Sequence, residues 1–78
     1  MGLKTDGHSE RRLRQRGIKR EWCDRVLANP IEVRQQANGW YQMWGFIVEM
    51  GKYLRIVMLE DKETLHTAHP DRRYKERR

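Results

Sequence analysis

The stretch NGWYQMWGFIVEMGKYLRIVMLE, residues 38–60, decides the fold because it predicts two long strands joined by tight turns. Asn38-Gly39 is a strong two-residue hairpin signal, and a strand from Trp40 to Met50 follows it. Gly51-Lys52 offers another tight turn, with glycine in its first position. The chain then returns from Tyr53 to Glu60, and strand alternation puts three apolar side chains of this segment on one face: Leu54, Ile56 and Met58.

One shorter strand is predicted on each side of this central pair. Residues 31–37 have a strand pattern that includes Ile31 and Val33 and ends at the Asn38-Gly39 turn. After a weaker turn at Asp61-Lys62, residues 63–69 form a fourth strand that ends at Pro70. Four strands connected by short hairpins form a meander.

Two short helices are predicted ahead of the strands. Residues 8–15 are polar and rich in arginine, with Ser9 near the helix start and Gly17 as a left-handed cap after its end. Residues 18–29 repeat apolar side chains at the spacing of one helical face until Asn29-Pro30 ends the pattern: Ile18, Trp22, Cys23, Val26 and Leu27. The sequence thus predicts a single α+β domain over residues 1–78, with two short N-terminal helices packed on a four-stranded antiparallel β-meander in residues 8–70. Residues 1–7 are an N-terminal arm, and residues 71–78 are a basic C-terminal tail.

Positive charge is concentrated at the two ends of the chain. Seventeen Lys and Arg residues stand against eleven Asp and Glu residues, which gives a net charge of +6. Residues 1–25 carry eight basic and four acidic groups, residues 26–70 carry four and five, and residues 71–78 carry five and two. Such a field favours polyanions, and nucleic acid is the most abundant one. The alternative interpretation is a solubilising surface with a disordered arginine-rich tail.

The remaining composition predicts a soluble cytoplasmic protein without a membrane partner. Cys23 is the one cysteine, so no internal disulfide can form and a reducing compartment is expected. The first sixteen residues have too few large apolar side chains for a signal peptide, and no apolar run approaches the length of a membrane span.

Several segments resemble the DUF4258 family of small bacterial proteins. HSERRLRQRGIKREWCDRVLANP, residues 8–30, has the family's His, an Arg four residues later, and an Arg-Gly-Ile triplet before a helix that ends in Pro. NGWYQMWGFI (38–47), YLRIVML (53–59) and LHTAHP (65–70) are similar to its later strands. The sequence departs from the family at Lys19, where a helix-capping Ser or Thr is common, and the tail lies beyond the resemblance.

This resemblance carries expectations about fold and activity. DUF4258 is similar in layout to the RelE and ParE toxins, which implies a RelE-like fold, metal-free RNA cleavage as in RelE or gyrase poisoning as in ParE. It also implies an acidic antitoxin as a partner. One fold can carry a toxin, an inactive relative or a simple binder, so activity has to be argued from the site.

Metal-free RNA cleavage needs a base for the 2′-hydroxyl proton, cations for the phosphate and an acid for the leaving oxygen. The predicted catalytic residues are His8, Arg12, Arg55 and His69. The predicted nucleic-acid-binding residues are Arg16, Lys52, Arg72, Arg73 and Tyr74. No metal or other cofactor is expected, because the histidines and the single cysteine lack the spacing of a zinc site.

The spacing of these residues predicts where they lie. His8, Arg12 and Arg16 project from one helix face, and they are expected to form one surface with His69 and the tail. On a regular strand His66 and His69 point to opposite faces, and His69 shares its face with Leu65 and Thr67.

Two interpretations of the candidate residues stay open at this level. Arg55 is either a phosphate contact or a plain solvent-facing strand residue, and the aromatic side chains either stack bases or fill the core, which is the better assignment for Trp44. The rival functions are a non-catalytic nucleic-acid-binding module and a protein-interaction domain that poisons a target.

Overall fold

Two helices precede four strands in the computed structural model of the chain, which describes residues 3–75. The elements are α1 (Gly7–Gln15), α2 (Arg20–Ala28), β1 (Glu32–Gln35), β2 (Tyr41–Ile47), β3 (Lys52–Met58) and β4 (Leu65–Pro70). The strands form one antiparallel sheet in the order β1-β2-β3-β4, so the predicted α+β meander is confirmed. Residues 1–2 of the predicted arm and 76–78 of the predicted tail lie outside the described residues.

Helix α1 begins one residue earlier than predicted and has a different cap. The side chain of Asp6 accepts a hydrogen bond from the backbone N–H of Ser9 at 2.7 Å, which satisfies a donor of the first turn. Ser9 lies inside the helix instead, where its buried hydroxyl donates to the carbonyl of Leu65 at 3.1 Å and ties α1 to β4. The predicted stop at Gly17 is confirmed, since its φ is +67° and the next N–H bonds back to Leu13.

Both helices cover the same face of the sheet and enclose the core there. Helix α1 contacts β4, and α2 contacts β2 and β3. A Cβ built on Gly45 of β2 would lie 2.9 Å from Cγ2 of Val26, so the absence of a side chain at this position lets α2 approach the sheet closely. The core also includes Leu3, which the sequence pattern assigned to the arm; Lys4 forms a parallel bridge with Thr64 beside β4.

All four strands are shorter than predicted, and the difference is largest for β2 and β1. β2 ends at Ile47 instead of Met50, because Gly51 takes a left-handed φ of +65° and its N–H closes a turn onto the carbonyl of Ile47. Val48 is therefore in the turn, with 76% of its surface exposed. β1 covers only Glu32–Gln35 of the predicted residues 31–37.

A bulge in β4 breaks the alternation that the sequence analysis assumed. Leu65 pairs with Met58 and Thr67 pairs with the adjacent Val57, so His66 is the extra residue of the bulged strand. Leu65 and Ala68 are consequently both buried in the core although they are three residues apart. The prediction that His69 shares a face with Leu65 was wrong for this reason. Within the described part of the chain, no helix is long and apolar enough to cross a membrane.

Candidate functional site

The face of the sheet opposite the helices, called the open face below, carries a row of four side chains that are directly opposed on the four strands. Glu32 pairs with Trp44, Trp44 with Arg55, and Arg55 with His69. Their strand neighbours Met43, Leu54, Ile56 and Ala68 belong to the core on the other face. Alternation therefore directs the row away from the core and onto one shared surface.

Arg55 and His69 are in contact at the β4 end of this row. Nη2 of Arg55 lies against Nε2 of His69. A guanidinium has only donors, so Nε2 must be the acceptor and the proton of the neutral imidazole is on Nδ1. Nε of Arg55 is buried and has no hydrogen-bond partner among the described residues. One donor of this guanidinium is therefore left unsatisfied by the described residues.

His69 is held in its neutral form by its surroundings. Partial burial lowers the pKa of the imidazole below its ordinary value of 6.5, and the positive charges of Arg55 and Arg16 lower it further, against an opposing contribution from Asp71. A histidine of this kind is unprotonated at neutral pH and can accept a proton.

Arg16 reaches this pair from the end of α1. Its Nη1 donates to Oγ1 of Thr67 at 3.0 Å and to the carbonyl oxygen of Ala68 at 2.8 Å. These contacts fix a second cation beside His69. Of His8, Arg12 and Arg16, which were predicted to form one surface with His69 and the tail, only Arg16 has a side-chain hydrogen bond with β4 among the described residues.

The C-terminal tail folds back over the open face as far as it is described. Asp71 accepts a hydrogen bond from Nε1 of Trp44 at 3.0 Å. Tyr74 stacks on the Trp44 ring, with centroids 5.2 Å apart and planes 18° apart, and meets Tyr53 edge-on at 4.9 Å. Its hydroxyl donates to Oε1 of Glu32 at 3.0 Å. The tail therefore packs as part of the domain.

Sheet and tail together enclose an open hollow of about 310 Å³. Its charged lining consists of four cations and two carboxylates: Arg34, Arg55, Arg73, Lys75, Glu32 and Asp71. The excess of cations makes the hollow suited to an anionic ligand. Another hollow, between α2 and β2, includes Arg25, but Glu49 already holds that guanidinium with two hydrogen bonds of 2.8 and 2.9 Å.

The other predicted site residues are more dispersed. His8 and Arg12 are exposed on α1 and form no hydrogen bond or ion pair with the described residues of the sheet. Lys52 and Arg72 line a separate hollow beside Tyr74. His66 packs its ring on Trp40 with centroids 4.5 Å apart.

Sequence reasoning missed the β1 and β2 part of the site. Glu32 and Arg34 alternate with Val33 on β1, and this charged alternation was the available signal for an exposed face. Trp44 is buried, as predicted, but under Tyr74 on the open face and outside the core cluster beneath the helices. Arg34 lies over its ring at 5.2 Å from the centroid.

The chemistry that the described residues offer is proton transfer and anion binding. Within residues 3–75, no three His, Cys, Asp or Glu side chains are grouped so that they could hold a metal ion. Cys23 is fully buried in the core, and desolvation with the nearby Asp24 raises the pKa of its thiol to about 12, so it stays protonated.

Comparison with protein-family models, with curated proteins and with solved structures gives no match for this chain. The resemblance to DUF4258 therefore rests on the sequence segments quoted above.

Proposed function

We propose that this protein binds single-stranded RNA on the open face and cleaves it without a metal ion, as a toxin-like endoribonuclease. The observation that carries the proposal is the contact between Arg55 and His69, which joins a phosphate-binding cation to a neutral histidine whose pKa is lowered. Arg16 adds a second cation beside the same imidazole.

RNA itself makes His69 available in this scheme. A phosphate oxygen is a stronger acceptor for a guanidinium than a neutral ring nitrogen, because the hydrogen bond is charge-assisted on both sides. Arg55 therefore moves its donors onto the phosphate. Nε2 of His69 is then open to the 2′-hydroxyl of the preceding nucleotide.

The chemical step is an internal transesterification. Nε2 of His69 takes the proton of the 2′-hydroxyl, the 2′-oxygen forms a bond to phosphorus, and the bond from phosphorus to the 5′-oxygen breaks. The leaving oxygen takes a proton from solvent. Arg55 and Arg16 stabilise the charge that develops on the phosphate oxygens. The products are a 2′,3′-cyclic phosphate and a 5′-hydroxyl end.

The remaining basic residues supply attraction for the RNA backbone. Arg12, Arg72, Arg73 and Lys52 are assigned this role because phosphate contacts increase affinity without reading sequence. His8, which is exposed on α1, stays a predicted proton donor or acceptor.

The test is cleavage of single-stranded RNA by the purified chain in the presence of a chelator, with the new RNA ends mapped. His69→Gln is expected to lower the cleavage rate by about 10²-fold or more, the usual contribution of a positioned general base. His66→Gln, on the same strand, is the matched control and is expected to keep full activity. Arg55→Lys keeps a charge but loses the planar fork, so both binding and cleavage are expected to weaken.

Two results would redirect the proposal. Undiminished cleavage by the His69→Gln variant would remove His69 from the reaction. RNA binding with steep salt dependence and no cut ends would make the protein a non-catalytic binding module.

The toxin assignment has its own assay. Induced expression is expected to arrest growth, the His69→Gln variant is expected to relieve the arrest, and a small acidic protein that binds the basic surface is the expected antitoxin. Growth arrest by wild type and variant alike, without cut RNA, would favour a target-poisoning interaction domain.

A further inference from the structure

Tyr74 lies on the open face in the way that a nucleobase lies on an aromatic platform. Its ring is nearly parallel to that of Trp44, and the polar edge of the ring, the hydroxyl, is held by the carboxylate of Glu32. We propose that the Trp44 ring and the Glu32 carboxylate form a guanine-binding site, which Tyr74 occupies in the free chain. This inference rests on the proposed function and names the base that the site accepts.

The stacking surface is well defined and sequence-independent. The indole of Trp44 is fixed by the hydrogen bond from its Nε1 to Asp71, and Arg34 lies over its ring. Every base has a flat face that can stack on such a platform, and a cation near the ring adds to the attraction. To expose the ring, Tyr74 has to give up its stack on Trp44, its edge contact with Tyr53 and its hydrogen bond to Glu32.

The choice of base comes from Glu32. An ionised carboxylate only accepts hydrogen bonds. Guanine presents two adjacent donors on its Watson–Crick edge, the N1–H and the N2 amino group, whereas uracil presents one and adenine and cytosine each present an amino group beside an acceptor. Oε1 of Glu32 accepts from the phenol of Tyr74, and Oε2 accepts from Nη2 of Arg34. The N1–H of guanine replaces the phenol at Oε1, and the N2 amino group shares Oε2 with Arg34, since each carboxylate oxygen can accept two hydrogen bonds.

The register of the sheet places this site at a useful distance from His69. Trp44 is on β2 and His69 is on β4, directly opposed through Arg55 on β3. Neighbouring strands are spaced by about 4.8 Å, so two strand steps separate the platform from the imidazole by roughly 10 Å. A guanine on Trp44 can therefore direct its own 2′-hydroxyl and 3′-phosphate toward Arg55 and His69. Cleavage is expected on the 3′ side of guanine.

The experiment measures binding of short uridine-rich RNAs that contain one guanine, one inosine or one adenine. Tyr74→Ala removes the occupant and is expected to tighten binding of the guanine RNA by about tenfold. The gain is expected because the guanine can then stack on the vacated Trp44 ring. Glu32→Gln is expected to lower the preference for guanine over adenine by about tenfold and to leave binding of the all-uridine RNA unchanged. Inosine lacks the N2 amino group and is expected to bind between guanine and adenine.

The control is Tyr41→Ala, which removes a tyrosine packed against the core on the other face of the sheet and is expected to change no preference. Weaker binding of every RNA by Tyr74→Ala would overturn the inference, because Tyr74 would then be a contact for RNA and not its competitor. An unchanged guanine preference in Glu32→Gln, or an adenine or cytosine preference in the wild type, would also overturn it.

Guanosine monophosphate separates this inference from the proposed function. In the Tyr74→Ala variant it is expected to shift the indole N–H resonance of Trp44 more strongly than adenosine monophosphate does. If the chain binds no RNA at low salt, the proposed function fails, while this shift would still support the guanine site. A Trp44 resonance that does not respond to guanosine monophosphate would rule the site out.

Discussion

The two faces of the sheet use the same strands for opposite purposes. Toward the helices, Met43, Leu54 and Ile56 are enclosed in an apolar core, and Ser9 is the one buried polar side chain among the described residues. Toward the tail, Arg55 places an unpartnered buried nitrogen beside a partly desolvated His69. The first face gains stability from burial, and the second retains polar groups that are costly to hold. Apolar burial and titratable side chains are thereby separated between alternate residues of one strand.

The largest expected effect is on the free energy of unfolding, and it distinguishes the two faces at two neighbouring positions of β3. Ile56 is fully buried, and Ile56→Ala is expected to lower the free energy of unfolding by about 2–5 kcal/mol because it leaves a cavity. Arg55→Ala is expected to change it by less than about 1 kcal/mol, since the lost packing is offset by relief of the buried nitrogen and the charge beside His69. Urea unfolding followed by tryptophan fluorescence measures both. An equal loss in the two variants would show that the open face also stabilises the fold.

A smaller effect is expected where α2 touches β2. Gly45→Ala is expected to cost about 1–3 kcal/mol of unfolding free energy, because its Cβ would lie 2.9 Å from a methyl group of Val26. The cost is expected to shrink in a Val26→Ala background, which removes that methyl group. Gly7→Ala is the matched control, since no atom lies within 4 Å of the added Cβ and its effect is expected to be neutral or stabilising. A cost that is the same in both backgrounds would assign the strain to another contact.

The smallest expected effect is on the titration of His69. Burial is the main cause of its lowered pKa and Arg55 is the next, so Arg55→Ala is expected to raise the pKa partway toward 6.5. Arg34→Ala is the control and is expected to leave it unchanged. The chemical shifts of the imidazole protons as a function of pH measure the pKa in each variant. An unchanged pKa in Arg55→Ala would mean that the guanidinium does not face the imidazole in solution.

The lowered pKa of His69 also makes the stability of the fold depend on pH. Below about pH 6.5 the unfolded chain protonates His69 while the folded chain does not, so stability falls as the pH decreases from 6.5 toward the lower folded pKa. Below the folded pKa this contribution is constant. The decrease is expected to be smaller in Arg55→Ala.

Local sequence signals predicted the architecture but only part of the site. A turn beside Gly39 and the alternation of Leu54, Ile56 and Met58 are local properties, and both are present in the structure. The loop covers three residues, 37–39, instead of the predicted two, because Gln36 pairs with Trp40 and the N–H of Gly39 donates to the carbonyl of Gln36. β2 was ambiguous because Trp44 and Phe46 make its second face apolar as well, so periodicity gave no reason to place Trp44 outside the core.

The parts of the site that were not predicted depend on contacts between segments that are distant in the sequence. The bulge at His66 sets which side chains of β4 face Arg55, and it leaves no local sequence signature comparable to a turn glycine. Likewise, the packing of Tyr74 on Trp44 joins residues thirty positions apart in the chain. Arg55 and His69 were predicted as site residues, but their direct contact follows from the strand register.

The outer edge of β4 is closed to intermolecular sheet growth. The carbonyl of Lys4 accepts from the N–H of Leu65, at the start of β4, at 2.8 Å. The side chains of Ser9 in α1 and of Arg16, the residue after α1, donate to the carbonyls of Leu65 and Ala68. An unpaired strand edge is a template on which another chain can add a strand and begin to aggregate. The opposite edge, β1, is only four residues long and displays Glu32 and Arg34, which are charged gatekeepers against such pairing. Both edges of the sheet therefore offer fewer free backbone groups to a neighbouring chain than the edges of a bare four-stranded sheet would.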